Sequence, residues 1–440
     1  MGLVELLSEL VRVRSVNPPG DGETQVAELL RARLDAAGCD TRIVTGPGGR
    51  PSLVARLRGP TERPTLVLLS HTDVVPVEQE AWRRDPFGAE VVDGELWGRG
   101  TLDMKGVAVL HVEAMAALAG QDRDLKRELI VVAAADEEAG GAHGAEWLVR
   151  DHGELVGFHD GDAPPPEVLG EGGFGLAGLS SRPIMPIVLG EKSPLTFRAR
   201  ATGRSGHGSL PPDQQAIRSL ARFLEAVAGP RPARLYPILR QQLHALADAA
   251  DGALAALFRV LASPAGPAVI RTLAPLVRAR ATLIGQVISD TITPTCLRAG
   301  YKSNVVPSVA EAIFDGRLLP DSDPDELLAW LRRAARPHAV EIEELRRWRS
   351  TASPHTALFD LLADVSAHLP GAPVPVPSLT PAVTDLRFFR ARGAVAYGWV
   401  PFILTPELVT TIHGHDERVP LIELHRARDA MSDVVRRACV

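Results

Sequence analysis

The stretch Gly98-Arg99-Gly100-Thr101-Leu102-Asp103-Met104-Lys105-Gly106 decides how the rest of the chain is read. Its glycines let the backbone turn tightly. A helix over Met104 to Leu118 is predicted to follow, with Val107, Leu110, Ala114, Met115 and Leu118 on one face. Asp103 then sits between a strand and a helix. Upstream, the apolar run Thr65 to Ser70 ends in His71-Thr72-Asp73. Downstream, Leu129 to Ala135 ends in Asp136-Glu137-Glu138. Both runs have the length and continuous apolar character of buried parallel strands. Buried strands that finish in polar, ligand-type residues suit an open α/β sheet, where sites form outside the carboxyl ends of the strands.

One histidine and several carboxylates, with no cysteine nearby, form a nitrogen and oxygen donor set. Zinc suits it, as do cobalt and manganese. The two oxygens of Asp103 are able to bridge two ions about 3.5–4 Å apart. Of Glu137 and Glu138, one side chain is expected to bind metal while the other stays free as a general base. Asp73 stands two residues past His71 and is expected to accept the other ring N–H of a metal-bound imidazole. A lone histidine after an apolar run is more often structural than a ligand. The ordered set His71, Asp73, Asp103, Glu137, Glu138 reverses that, because adjacent acids at a buried strand end are costly unless paired or metal-bound.

Taken in order, these three pieces resemble the M20 metallopeptidases, a family that includes aminoacylases, deacetylases, desuccinylases and carboxypeptidases. Gly203-Arg204-Ser205-Gly206-His207-Gly208-Ser209, Ser303-Asn304-Val305-Val306-Pro307 and His413-Gly414-His415-Asp416-Glu417 are similar to the family as well. The resemblance spans nearly the whole chain except residues 231–285.

The resemblance implies an α/β fold: a two-metal catalytic domain with an open, mainly parallel twisted sheet, plus a smaller inserted α/β lid of the dimerisation type. Its implied boundaries are 1–192 and 349–440 for the catalytic domain and 193–348 for the lid. It implies two divalent metal ions, held by Asp103, Glu138 and His413 on one side and by His71, Asp103 and Glu171 on the other. Which ion takes which terminal ligand stays open. So does the choice of Glu171 over Asp160 or Asp162, and of His413 over His415. Glu137 is implied as general base and His207 as the oxyanion-stabilising group reaching a partner subunit. Asn304 and Arg317 are implied substrate-orienting residues, Arg317 for a carboxylate, which a guanidinium grips through two hydrogen bonds. A bare structural ion pair is the competing role for Arg317.

The implied activity is metal-dependent hydrolysis of an amide bond in N-acyl amino acids or small peptides. A dipeptidase or carboxypeptidase shares this machinery. The alternative of another class is a catalytically silent ligand-binding relative, which would have no use for Glu137. The expected partner is a small substrate with a free carboxylate, in a homodimer.

Composition agrees with a globular enzyme. The chain has 440 residues, 45% hydrophobic and 23% charged, enough for two or three domains. A net charge of −6 supplies no basic footprint for nucleic acid. Cys39, Cys296 and Cys439 are scattered, which suggests neither a disulfide framework nor a thiolate site. Residues 1–16 carry acids and arginines in a helical pattern, unlike a signal peptide, and no run is apolar enough for a membrane span. A cytoplasmic location is the expectation. Residues 231–285 are rich in Ala and Leu, and Pro264 and Pro267 interrupt them. They are read as two or more helices inserted in the lid, serving as packing or dimer surface, or as the wall of an apolar acyl pocket.

Overall fold

The computed structural model describes residues 2–121, 124–178, 181–228, 231–232, 234–269, 272, 288–320, 322–348 and 351–440. Strands are numbered along the chain. An eight-stranded sheet runs in the order β1 (Asp40–Thr45), β2 (Pro51–Leu57), β6 (Leu129–Ala134), β3 (Leu66–His71), β7 (Glu167–Leu176), β16 (Val395–Leu404), β8 (Ile184–Glu191) and β15 (Val374–Thr380). Its centre, β6-β3-β7-β16, is parallel. So is the pair β15 and β8, while β1 and β2 join antiparallel.

The two apolar runs form β3 and β6 because both faces of this sheet are covered. Leu66, Leu68, Leu129, Val131 and Ala133 face one core, and Val67, Leu69, Ile130, Val132 and Ala134 face the other. Period-two alternation between two apolar layers makes a continuous hydrophobic run. Helices Leu3–Arg12, Glu23–Asp35, Lys105–Ala119, Ala357–Ala367 and Leu421–Cys439 contribute to the first core. Helices Ala145–Asp151 and Leu386–Ala391 contribute to the second.

A second, four-stranded sheet has the order β11 (Thr291–Ala299), β13 (Val309–Leu318), β9 (Ser193–Thr202) and β14 (Val340–Arg347), all antiparallel. Only one face of β13 is buried, so its residues alternate. Helices Ala216–Val227 and Pro324–Ala335 cover that face through Leu220, Phe223, Leu327 and Leu331. Asp323 caps the second of these helices by accepting the N–H of Asp325 at 2.9 Å, ahead of Pro324 at the first helical position. Two ribbons complete the strands: β10 (Gly206–His207) pairs with β12 (Val305–Val306), and β4 (Glu90–Val92), β5 (Glu95–Trp97) and β17 (Arg418–Pro420) form a small sheet.

The inserted segment differs from expectation in where it packs. Helices Pro237–Ala249 and Gly252–Ala262 form, but the first lies on the eight-stranded sheet, with Ala249 against Ile184, Val374 and Val376. The physical reason is that Ile184, Val374 and Val376 on β8 and β15 make an apolar patch that the helix removes from water. Part of the expected insertion, including residues 273–285, lies outside the described residues. Among the described residues, no helix is long and apolar enough to cross a membrane.

Candidate active site

Three strands and two loops bring the predicted residues together. His71 ends β3, Glu137 and Glu138 follow β6, and Glu171 lies in β7. Asp103 comes from the loop ahead of helix Lys105–Ala119, and His413 from the loop ahead of β17. The loop at Asp103 closes on itself: a Cβ on Gly106 would lie 2.2 Å from the carbonyl oxygen of Thr101, so glycine is required there. The buried Lys105 Nζ donates to the carbonyls of Leu10 and Val13 at 2.9 and 2.8 Å, fixing the helix start to the first helix.

The carboxylate of Asp103 faces two ways. Its Oδ1 lies 3.2 Å from His71 Nε2, and its Oδ2 lies 3.1 Å from His413 Nε2. Each imidazole also meets a second acid: His71 Nε2 is 3.5 Å from Glu171 Oε2, and His413 Nε2 is 3.4 Å from Glu138 Oε2. Two half-sites therefore share one bridging carboxylate. Donor atoms of His71, Asp103 and Glu138 lie within 4.8 Å of one another, as do those of His71, Glu137 and Glu171. Asp160 and Asp162 are exposed in their loop, and His415 points to Glu78 at 3.8 Å.

The electrostatics have the sign of a cation site. The Asp103 and Glu138 carboxylates push His413 up to about 10. Burial alone would lower His71, but hydrogen bonds to Asp103, Asp73 and Glu171 leave it well above its ordinary value. Burial alone would raise Asp103, and the two imidazoles overrule it, holding it low. Glu137 is raised well above the carboxylate range, first by burial and then by the charge of Glu171. So dense a group of acids is costly without cations. The donor set of two imidazoles and three carboxylates fits divalent metal ions.

Asp73 meets the site at two points. The Nδ1 of His71 meets the backbone carbonyl of Asp73 at 3.0 Å, and the Asp73 carboxylate only at 3.5 Å. Donation to that carbonyl leaves Nε2 free to bind an ion. The carboxylate also accepts the backbone N–H groups of Glu137 and Glu138 and the Asn17 amide. It is the anchor of the turn that carries the two glutamates.

Several functional neighbours were missed in the sequence. The buried Glu417 accepts the backbone N–H groups of Gly100, Leu102 and Asp103 at 3.1, 2.8 and 3.1 Å, together with the Arg99 guanidinium. Arg99 also donates to the carbonyl of Gly414, so the loops of Asp103 and His413 are tied together. Only the motif His413 to Glu417 hinted at this. Behind the glutamate turn, Arg50 pairs with the buried Glu23 and with Asp136. Asp385 had no sequence signal at all. It lines a small cavity with His71, Glu137 and Glu171, both its oxygens lack a hydrogen-bond partner, and burial lifts it to about 7.

The remaining three predicted residues lie elsewhere in the chain. His207 is exposed on β10, with Nδ1 2.7 Å from Ser209 Oγ. Asn304 stands beside it, its carbonyl accepting the N–H of Gly208 at 2.9 Å. Arg317, on β13, is bound to Asp315 through Nε at 3.0 and 3.1 Å. None of the three lines the cavity beside Glu137.

Comparison with known proteins shows the family and the fold. Aminoacylase-1 of Sus scrofa is 30% identical over 435 residues, covering 94% of this chain and 90% of that protein. The M20 family metallo-carboxypeptidase Sso-CP2 from Sulfolobus solfataricus superimposes with a TM-score of 0.74 at 17% identity, over 99% of both chains. The dipeptidase Dug1p from Saccharomyces cerevisiae does so with 0.69 at 14% identity, over 99% of this chain and 95% of that one. The family model described as peptidase family M20/M25/M40 matches residues 67–437, from within β3 to the last helix. With His71, Asp103, the two glutamates, Glu171 and His413 all inside that span, the chain belongs to peptidase family M20/M25/M40.

Proposed function

We propose that the protein is a metal-dependent hydrolase that cleaves the amide bond of N-acyl amino acids or small peptides. The observation that carries the reading is the division of the Asp103 carboxylate between the His71 and His413 sides. In this reading Asp103, Glu138 and His413 hold one ion and His71, Asp103 and Glu171 the other, and zinc is the metal the donor set suits best. When bound, the metal acidifies water and polarises the scissile carbonyl. Glu137, as a carboxylate beside His71 and Glu171, takes a proton from the attacking water and returns it to the leaving amine. Asp73 holds the backbone of that turn in place.

Residues 1–192 and 349–440 form the catalytic domain in this reading, and residues 193–348 form the lid, except that helix Pro237–Ala249 packs back on the eight-stranded sheet. His207 and Asn304 act across a homodimer, His207 on the developing oxyanion and Asn304 on the substrate. Arg317 turns from Asp315 to a substrate carboxylate. Support for the dimer comes from the exposed Leu210 and Tyr301 near His207 and Asn304, 79% and 80% accessible, and from Leu297 on the edge strand β11. A cytoplasmic setting belongs to the same proposal. Likeness to aminoacylase-1 favours a deacylase over the peptidase alternative.

The test is hydrolysis of a panel of N-acyl amino acids and dipeptides with added zinc, cobalt or manganese, beside a Glu137→Ala control. Amino acid release that vanishes in the control supports the reading, and the preferred substrate separates deacylase from peptidase. Two bound metals with no turnover on any member would favour the silent binding relative.

A further inference from the structure

Three successive backbone N–H groups of the glutamate turn go to buried carboxylates. That of Asp136 donates to Glu23 Oε1 at 2.9 Å, and those of Glu137 and Glu138 donate to Asp73 at 3.2 and 3.0 Å. Asp136 itself stands in the left-handed region, at φ 71°, which residues other than glycine rarely adopt. The chain therefore leaves β6 through a conformation that its surroundings must hold.

Arg50, just ahead of β2, joins the two anchoring carboxylates. Its Nε and Nη2 grip Glu23 at 2.5 and 2.6 Å, and its Nη1 lies 3.2 Å from Asp136 Oδ1 and 3.4 Å from Asn17 Oδ1. The Asn17 amide carries the link onward, donating to Asp73 Oδ2 at 2.8 Å and to Asp136 Oδ1 at 3.3 Å. Gly20 lets the loop between Asn17 and Glu23 close over the guanidinium, because a Cβ there would lie 2.3 Å from Arg50 Cζ. Burial raises Glu23 first, and the hydrogen bond from Arg50 opposes it. Removing Arg50 would strip the gripping cation from a fully buried carboxylate, and with it the fixed acceptor of the Asp136 N–H. Arg50, Glu23 and Asn17 do not line the cavity of His71, Glu137 and Glu171. Their part is to place other groups.

We propose that Arg50 is a positioning residue for the reaction, acting through Glu23 and Asp136 and through Asn17 to hold the turn from which Glu137 and Glu138 enter the site. The inference rests on the hydrolase reading above.

Hydrogen–deuterium exchange of the zinc-loaded protein tests it, comparing peptides over residues 136–141 with peptides from β3 and β6, beside steady-state kinetics at saturating zinc. Arg50→Met keeps the length of the side chain and removes both links. It should speed exchange of the turn about tenfold or more while β3 and β6 stay protected. It should also lower kcat about tenfold or more, as loss of a supporting partner does elsewhere, with KM within about twofold of the parent. Arg50→Lys should recover part of both losses, since an ammonium keeps the charge but not the two parallel hydrogen bonds. If Arg50→Met does not fold, Arg50→Lys carries the measurement, with a smaller change in the same peptides. Unchanged exchange at the turn, an equal rise in β3 and β6, or a loosened turn with unchanged kcat would each overturn the inference. Parent protein that hydrolyses nothing, although its turn loosens in Arg50→Met, would sink the hydrolase reading. An active parent whose turn is indifferent to Arg50 would sink this inference alone.

Discussion

The carboxylate of Asp73 accepts the backbone N–H of Glu138 at 3.0 Å, and so fixes the turn from which Glu138 faces His413. The same carboxylate accepts the N–H of Glu137 at 3.2 Å. One side chain therefore sets the position of a candidate ligand and of the candidate base. Asp73→Ala is expected to weaken metal binding or activity about 10–100-fold, as loss of a supporting partner does elsewhere. Asp73→Asn keeps one acceptor oxygen and should lose less. Metal titration of the two variants checks this order.

Glu137→Gln should lower kcat by about 10²–10⁴-fold and leave the number of bound metals unchanged. Retained turnover would move the base to another residue, and Asp385 is next in line because it shares the cavity with Glu137. Steady-state kinetics with metal analysis of the same sample decides between them.

Glu417→Ala should destabilise the fold rather than alter the chemistry alone. It strips the partner from the buried Arg99 and frees three backbone N–H groups around Asp103. Breaking one side of a buried pair costs about 3–5 kcal/mol. Denaturant unfolding of the variant and the parent measures the difference.

His111 makes stability depend on pH. It is fully buried in helix Lys105–Ala119, neither ring nitrogen has a partner, and burial lowers it to about 3. The unfolded chain protonates near the ordinary value of about 6.5, so between these values it binds the extra proton. Stability is then complete above about pH 6.5 and falls as pH drops towards 3. The loss from this group between pH 7 and pH 4 is about 3 kcal/mol. His111→Leu should remove that part of the acid sensitivity, seen as a smaller shift in unfolding midpoint between the two pH values.

A mixture of His207→Ala and Glu137→Ala chains tests the reach of His207. Each variant alone should be nearly inactive. If His207 serves the partner's site, mixed dimers contain one intact site, and unfolding and refolding the two together should restore a fraction of the activity. No recovery, with dimers present by light scattering, would remove His207 from that role.

Much of this was legible in the sequence because it was local. The apolar runs into His71 and Glu137 read as strands, since both faces of the large sheet are buried. Asp323-Pro324 is a local helix-start signal, and the helix Pro324–Ala335 begins there. The part of residues 231–285 that forms two helices was also legible from composition, but not the strands it packs on.

By itself, the sequence determined the elements, the donor types and their order: a histidine, a shared aspartate and paired glutamates at strand ends, which is enough to specify a metal hydrolase of this family. Only the tertiary structure decided how those donors divide. Asp103 and His413 are far apart in the chain, and Glu417 joins their loops by accepting backbone N–H groups through contacts that no local pattern encodes. Asp73 and Asp385 took their places from the same source. A carboxylate or guanidinium carries no mark of its partner until packing sets the distance, and burial then makes that distance count.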